Sequence, residues 1–285
     1  MATEVQDYRL EIDKKSFKAE SYFPGITYDD YDRAGGISPW KICRMFEAGR
    51  MVPFFQGNFL DFNNLRTGNF TIFVLGGDYY FDPCLWEVAR KYHYFPYKIS
   101  VELINLGQTS LTVRQVLTNL LDQKEIATFY GKLVYVDRNT KRSQVLPNWH
   151  RLKYQSVESQ DRVRLETSMP RIPDNAFSAK TVVGASDTDH NGHTNQGSYI
   201  RFCLDAAELA RRAQQLHCLI NDICLYPVIK MTTAYRGETL AGDELTTSVW
   251  EDNLTPRILH FVIMRGRTLV FVSTITFKDR PCSKL

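Results

Sequence analysis

What this sequence lacks is long runs of any one kind. No apolar stretch approaches the 18 residues of a membrane-spanning helix, so no membrane span is expected. Lysine and arginine are scattered, and the formal net charge is only +3, so a nucleic-acid surface is not expected either. The six cysteines are Cys43, Cys84, Cys203, Cys218, Cys224 and Cys282. None forms a Cys-x-x-Cys pair, and a chain of 285 residues folds without covalent staples. They read as reduced thiols of an intracellular protein. The first residues, Met-Ala-Thr-Glu-Val-Gln-Asp, are polar and carry acids, unlike a secretory signal.

What is present suits a soluble fold rich in strands. Hydrophobic residues make up 44% and charged residues 24%, while aromatics reach 13%, a residue class that favours pleated surfaces. The length allows one large domain or two of about 130 residues. Two stretches share one plan: an aspartate-rich turn, then a helix, then strands. The first passes from Tyr28-Asp-Asp-Tyr-Asp-Arg-Ala-Gly-Gly36 into a helix with Trp40, Cys43 and Phe46 on one face. The second passes from Ser186-Asp-Thr-Asp-His-Asn-Gly192 into a longer helix. There Tyr199, Phe202, Cys203, Ala206, Leu209, Ala210, Ala213 and Leu216 form an apolar stripe, opposite Arg201, Asp205, Glu208, Arg211 and Arg212. Asp32-x-x-Gly35 lines up with Asp189-x-x-Gly192, so the order of elements, more than identity, argues for a repeat.

Strands are expected over residues 70–75, 98–106, 111–121 and 125–136, and again over 228–235, 244–250, 257–264 and 268–277. Alternation at Leu269, Phe271, Ile275 and Phe277 has period two. Short turns such as Arg265-Gly266 indicate antiparallel pairing. Residues 147–175 are polar and hold Pro147, Pro170 and Pro173, the composition of a linker. The expected fold class is α+β: two tandem domains, each a long helix wrapped by a curved antiparallel sheet. Residues 1–146 form the first, 147–175 the linker and 176–285 the second.

Chemistry concentrates in Asp187-Thr-Asp-His-Asn-Gly-His-Thr-Asn-Gln-Gly-Ser-Tyr199. Two Asp, two His and two Asn sit directly before a strong helix, whose first N–H groups are unsatisfied and partly positive. Such a helix start polarises a carbonyl oxygen, while a carboxylate or imidazole activates water or attacks directly. Competing readings are weaker. Asp187-x-Asp189-x-Asn191-Gly192 begins like a calcium loop, but Ser198 stands where its bidentate Glu belongs. His190 and His193 in a turn do not converge on zinc as two His of one helix face do. No metal or cofactor is expected. A plain Asx turn with an N-cap is the bland alternative, and this density of histidine and carboxylate disfavours it. His93, His150, His217 and His260 are isolated and read as packed or solvated. Tyr79, Tyr80 and Phe81, with Tyr92, Tyr94, Phe95 and Tyr97, read as sheet and core, with the lining of an acyl channel as the alternative.

The segment resembles the catalytic-half motif of acyl-carrier-protein thioesterases of the plant and bacterial type, D-x-D-x-N-x-H-x-N-x-x-x-Y. Asp187, Asp189, Asn191, His193, Asn195 and Tyr199 match it. Through Gly192 it also fits the wider hotdog thioesterase pattern of the 4-hydroxybenzoyl-CoA thioesterase superfamily. Tyr235-Arg236-Gly237-Glu238-Thr239 is similar to that family's Y-R-x-E-C strand, and Gly242-Asp243 to the turn after it. The resemblance implies two hotdog halves, hydrolysis of fatty acyl thioesters, and an active site of Asp189, Asn191, His193 and Glu238. Asp189 would be general base or nucleophile, Asn191 and His193 would position substrate and water, and Glu238 would orient the water or tune His193. Asn195, Tyr199 and Arg236 would contact substrate, with Arg201 a second candidate for CoA phosphates. Thr239 replaces the family's Cys, which removes a cysteine nucleophile there, and Gln196 replaces an Asn. Gly36 and Ser38 stand where His193 and Asn195 stand, so the first half reads as structural, shaping the acyl tunnel. Glu47 on the first helix reads as a helix-face charge rather than a catalytic carboxylate.

Ser283-Lys284-Leu285 reads as a peroxisomal import address, which makes an import receptor the expected partner and the peroxisome, otherwise the cytoplasm, the expected location. Peroxisomes handle acyl groups as CoA esters, so acyl-CoA is the expected substrate and acyl-carrier protein the alternative. A non-catalytic acyl-CoA-binding protein and a hotdog hydratase are further alternatives, both disfavoured by the intact motif. Two hotdogs in one chain mimic the usual dimer, and such units often pair again into a homodimer.

Overall fold

The computed structural model describes residues 9–92, 94–157 and 170–278. His93 and the Ser283–Leu285 tail lie outside them. Contacts group the chain into two units, Met1–Tyr28 with Met45–Arg164, and Asp29–Arg44 with Leu165–Leu285. Described elements run β1 (Arg9–Asp13), β2 (Lys18–Phe23), α1 (Pro39–Gln56), α2 (Phe62–Leu65), β3 (Phe70–Phe81), α3 (Cys84–Lys91), β4 (Tyr97–Leu106), β5 (Ser110–Asn119), β6 (Glu125–Asp137) and α4 (Asn148–Lys153). The chain continues through β7 (Phe177–Val182), α5 (Gln196–Arg212), β8 (Val228–Tyr235), β9 (Glu244–Glu251), β10 (Ile258–Arg265) and β11 (Thr268–Phe277).

In the first unit the strands lie in the order β1-β2-β4-β5-β6-β3, every neighbour antiparallel. Along β4, Tyr97, Ile99, Val101 and Leu103 are buried while Lys98, Ser100 and Glu102 between them are half-buried, the alternation of a sheet with one face on a core. The residues of α1 from Met45 onward cover that face. Phe46 packs against Tyr79 and Phe129, and a Cβ on Gly49 would stand 2.6 Å from Ile99, so glycine lets the helix settle on β4. Pro53 lies inside α1 and has no N–H for the Gly49 carbonyl. The Ser21 hydroxyl, 3.3 Å away, donates to that carbonyl instead.

In the second unit the order is β8-β11-β10-β9-β7, again antiparallel throughout. Helix α5 lies against β9 and β7. Gly197 in its first turn faces the first turn of α1: a Cβ there would come within 2.7 Å of the Trp40 carbonyl oxygen.

Several details differ from the sequence reading. Strand β3 runs six residues past the expected stop, through Gly76 and Gly77, where the register shifts between Val74 and Gly76. A Cβ on Gly77 would meet the Tyr130 carbonyl at 2.1 Å, so these glycines carry a bulge rather than end the strand. Strands β1, β2 and β7 were not expected; each has only five or six residues, too few for its alternation to stand out, and β1 and β7 close the two strand orders. Leu209 on α5 is 47% exposed, whereas Glu208 is only 9% exposed, the reverse of the expected faces. Leu216 is buried but lies beyond the helix end. Residues 147–157 include the helix α4, whose buried His150 places Nε2 3.0 Å from the Leu60 carbonyl.

Candidate active site

The loop ahead of α5 is built by its own backbone. A short 3-10 turn, Ala185–Asp187, opens it. The Asp187 carboxylate accepts from the Gly184 N–H at 3.0 Å and pairs with Arg201. Its carbonyl accepts from the Asn195 N–H at 2.8 Å and the Ser198 hydroxyl at 3.0 Å. Asp187 thus ties both ends of the loop together, and Arg201, also paired with Asp205, is committed to carboxylates. Between those ends the Asp189 N–H donates to the His193 carbonyl at 2.8 Å and the Gly192 N–H to the Asp189 carbonyl at 2.9 Å. Gly192 has φ of 77° with no atom within 4 Å of its missing Cβ, so backbone conformation, not space, calls for glycine.

Within this turn the Asp189 carboxylate accepts from the Asn191 N–H at 2.8 Å and from the Asn191 side-chain amide at 3.2 Å. Asp189 is half-buried and Asn191 exposed. On the other limb His193 forms an isolated antiparallel bridge with Leu240. The bridge brings His193 Nε2 to 3.5 Å from Glu238 Oε2, with the two side chains 26% and 36% exposed. Two distant motifs therefore meet here. Glu238 is held from behind: Arg265 Nη1 donates to its carbonyl at 3.1 Å and to the Asp243 carboxylate at 2.9 Å.

The expected substrate contacts have protein partners of their own. The Asn195 side chain accepts from the Gly197 N–H at 2.8 Å and caps α5, as Asn does at helix starts. The Tyr199 hydroxyl lies 2.8 Å from the Thr239 hydroxyl, and burial pushes the phenol above its usual range. Arg236 is half-buried, and its N–H donates to the Val270 carbonyl at 2.8 Å. Thr194, Thr239 and Arg265 escaped the sequence reading as parts of the site. Thr239 had a signal, as the residue in place of the family's Cys, but nothing local marks Arg265.

The first turn repeats the second at a constant offset. Tyr28–Asp30 is a 3-10 turn like Ala185–Asp187, Gly35 and Gly192 share φ of 77°, and α1 and α5 begin at Pro39 and Gln196. The Asp32 N–H donates to the Gly36 carbonyl at 2.7 Å, and Tyr31 bridges Ile37 as Thr188 bridges Thr194. The chemistry differs. Burial raises the Asp32 carboxyl above its usual range. Arg33, which stands where His190 does, is held by the Asp222 carboxylate at 2.6 and 2.8 Å. Among the described residues no group of three or more His, Cys, Asp and Glu is placed to hold a metal.

No protein-family model matches this sequence, and no curated protein matches it. Solved structures do. An acyl-ACP thioesterase from Bacteroides thetaiotaomicron is 16% identical, with a TM-score of 0.69 over 94% of this chain and 100% of its own. A Lactobacillus plantarum protein designated an oleoyl thioesterase is 14% identical, with a TM-score of 0.71 over 97% and 98%. The 12:0-ACP thioesterase from Umbellularia californica is 12% identical, with a TM-score of 0.66 over 92% and 97%. The likeness is one of fold, and the chain has the hotdog fold that these thioesterases share.

Proposed function

We propose that this protein hydrolyses fatty acyl thioesters, with CoA esters as the substrate form, and that it is a tandem of two hotdog domains. The second carries the chemistry and the first shapes the acyl site. The observation that carries this reading is the pairing of His193 with Glu238 beside a turn whose backbone fixes Asp189. A water oxygen adds to the thioester carbonyl carbon while its proton passes to Asp189. The carbon–sulfur bond breaks, and the thiolate leaves with a proton supplied from the His193–Glu238 pair. The products are a carboxylic acid and a thiol. Asn191 orients Asp189, and the start of α5 favours the developing oxyanion.

The test is free-thiol release from acyl-CoAs of short to very long chain, and from the same acyl groups on acyl-carrier protein, by wild type and by Asp189→Asn. Release by the wild type that the variant abolishes supports the reading, and the better carrier names the substrate form. No release from either carrier rejects it in favour of acyl binding. Import through Ser283-Lys284-Leu285 belongs to the same proposal. A fluorescent protein ending in Pro281–Leu285 should gather in peroxisomes, and diffuse fluorescence would reject import.

A further inference from the structure

We infer that a buried chain of three hydroxyls, Thr194–Thr239–Tyr199, is the positioning device that sets His193 against Glu238, and that position 239 serves as a structural tie rather than as a nucleophile. This rests on the proposed reaction for its kinetic consequence, but not for its geometry.

Thr239 is 0% exposed, Tyr199 3% and Thr194 7%. The Thr194 and Thr239 hydroxyls are 2.6 Å apart, and the Tyr199 hydroxyl is 2.8 Å from that of Thr239. Two carbonyls stand at the ends of the chain, that of Thr239 at 3.1 Å from the Thr194 hydroxyl and that of Gly237 at 3.5 Å from the Tyr199 hydroxyl. One assignment of protons gives every hydroxyl an acceptor: Thr194 donates to the Thr239 carbonyl, Thr239 to the Thr194 hydroxyl, and Tyr199 to the Thr239 hydroxyl. Removing the central oxygen takes the 2.8 Å acceptor from the buried Tyr199 hydroxyl, leaves it only the Gly237 carbonyl at 3.5 Å, and cuts the tie between Thr194 and Tyr199.

The placement of this chain gives it its consequence. Thr194 follows His193, and Thr239 follows Glu238. The backbones of the two segments meet at the isolated His193–Leu240 bridge and at the Thr194 N–H to Thr239 carbonyl bond of 2.8 Å. A contact that short specifies register weakly, and a slip of one residue turns the side chains to the opposite face. The hydroxyls add cross-ties at the residues adjoining both catalytic candidates, and Tyr199 anchors them to α5. A hydroxyl so enclosed has no path to a thioester carbon.

The test compares Thr239→Val, Thr239→Ser and Tyr199→Phe with wild type in two independent readouts. In turnover, Thr239→Val should lose roughly 10- to 100-fold in kcat with KM little changed, Thr239→Ser should restore kcat to near wild type, and Tyr199→Phe should fall between. In NMR, the ring proton–nitrogen signals of His193 should move in Thr239→Val and return in Thr239→Ser. Unmoved His193 signals, or wild-type kcat in Thr239→Val, overturn the inference; so does an acyl adduct on Thr239 of the wild type by mass spectrometry. Should Thr239→Val fail to fold, Tyr199→Phe, which keeps the core ring, carries both readouts. His193 signals that move in Thr239→Val, found together with a wild type that releases no thiol, would reject the proposed reaction and leave the positioning role standing.

Discussion

Glu208 offers a prediction with a magnitude. Its side chain, on α5, is 11% exposed and accepts from Arg211 at 2.7 and 2.9 Å, from Arg212 at 2.9 Å and from the Ile223 N–H at 3.3 Å. Burial alone would raise its carboxyl, but the hydrogen bonds from Arg211, Arg212 and Ile223 overturn that and hold it at about 2, against an ordinary 4.5. A shift of that size corresponds to about 3 kcal/mol. Arg212 and Arg33, which also faces Glu208 at 3.6 Å, are 66% and 52% exposed, so solvent screens their share and about 1–2 kcal/mol should remain. The folded value is depressed, so this stability is fully present above about pH 4.5 and fades as pH falls toward about 2. Glu208→Gln should lower Tm at pH 7 by roughly 3–6 °C, and the gap to wild type should narrow steadily below pH 4.5. Thermal melts followed by circular dichroism from pH 7 to pH 3 measure it. Equal melting at pH 7, or a gap that ignores pH, would refute the electrostatic account.

Other perturbations separate fold from chemistry. Gly35→Ala and Gly192→Ala place a side chain at the same φ of 77° and should each cost about 1 kcal/mol in urea titrations, but only Gly192→Ala should also slow thiol release. Gly197→Ala would drive a Cβ against the Trp40 carbonyl and should cost about 1–3 kcal/mol, read by the same titrations. Asp189→Asn should lower kcat by roughly 10²- to 10⁴-fold while leaving Tm within about a degree, as steady-state kinetics and melting would show.

The legible part of this protein was local. Eight strands and both long helices could be placed because their periodicity lies in consecutive residues, and the loop from Asp187 to Tyr199 carries its turn and cap within itself. Gly192, Asn195 and the Asp189–Asn191 contact all act within a few positions of one another, so residue types at a spacing suffice to foresee them. The same locality made the two turns recognisable as repeats although little identity survives.

What only the tertiary structure decided depends on partners distant in the chain. Glu208 faces inward because Arg33, Ile223 and its own helix surround it, and no helical period reveals that. Gly76 and Gly77 continue a strand because they pair with Lys132 and Gly131 of β6, and at Gly77 the Tyr130 carbonyl and the Phe129 ring leave no room for a side chain. Thr239 looked like a missing cysteine in the sequence, yet its hydroxyl joins Thr194 to Tyr199. The sequence by itself determined which side chains could do chemistry, since reactivity and turn preference belong to the residue. Which of them meet, as His193 meets Glu238, was decided by how the loop pairs with the segment after β8, because a hydrogen bond requires two partners and sequence spacing describes only one.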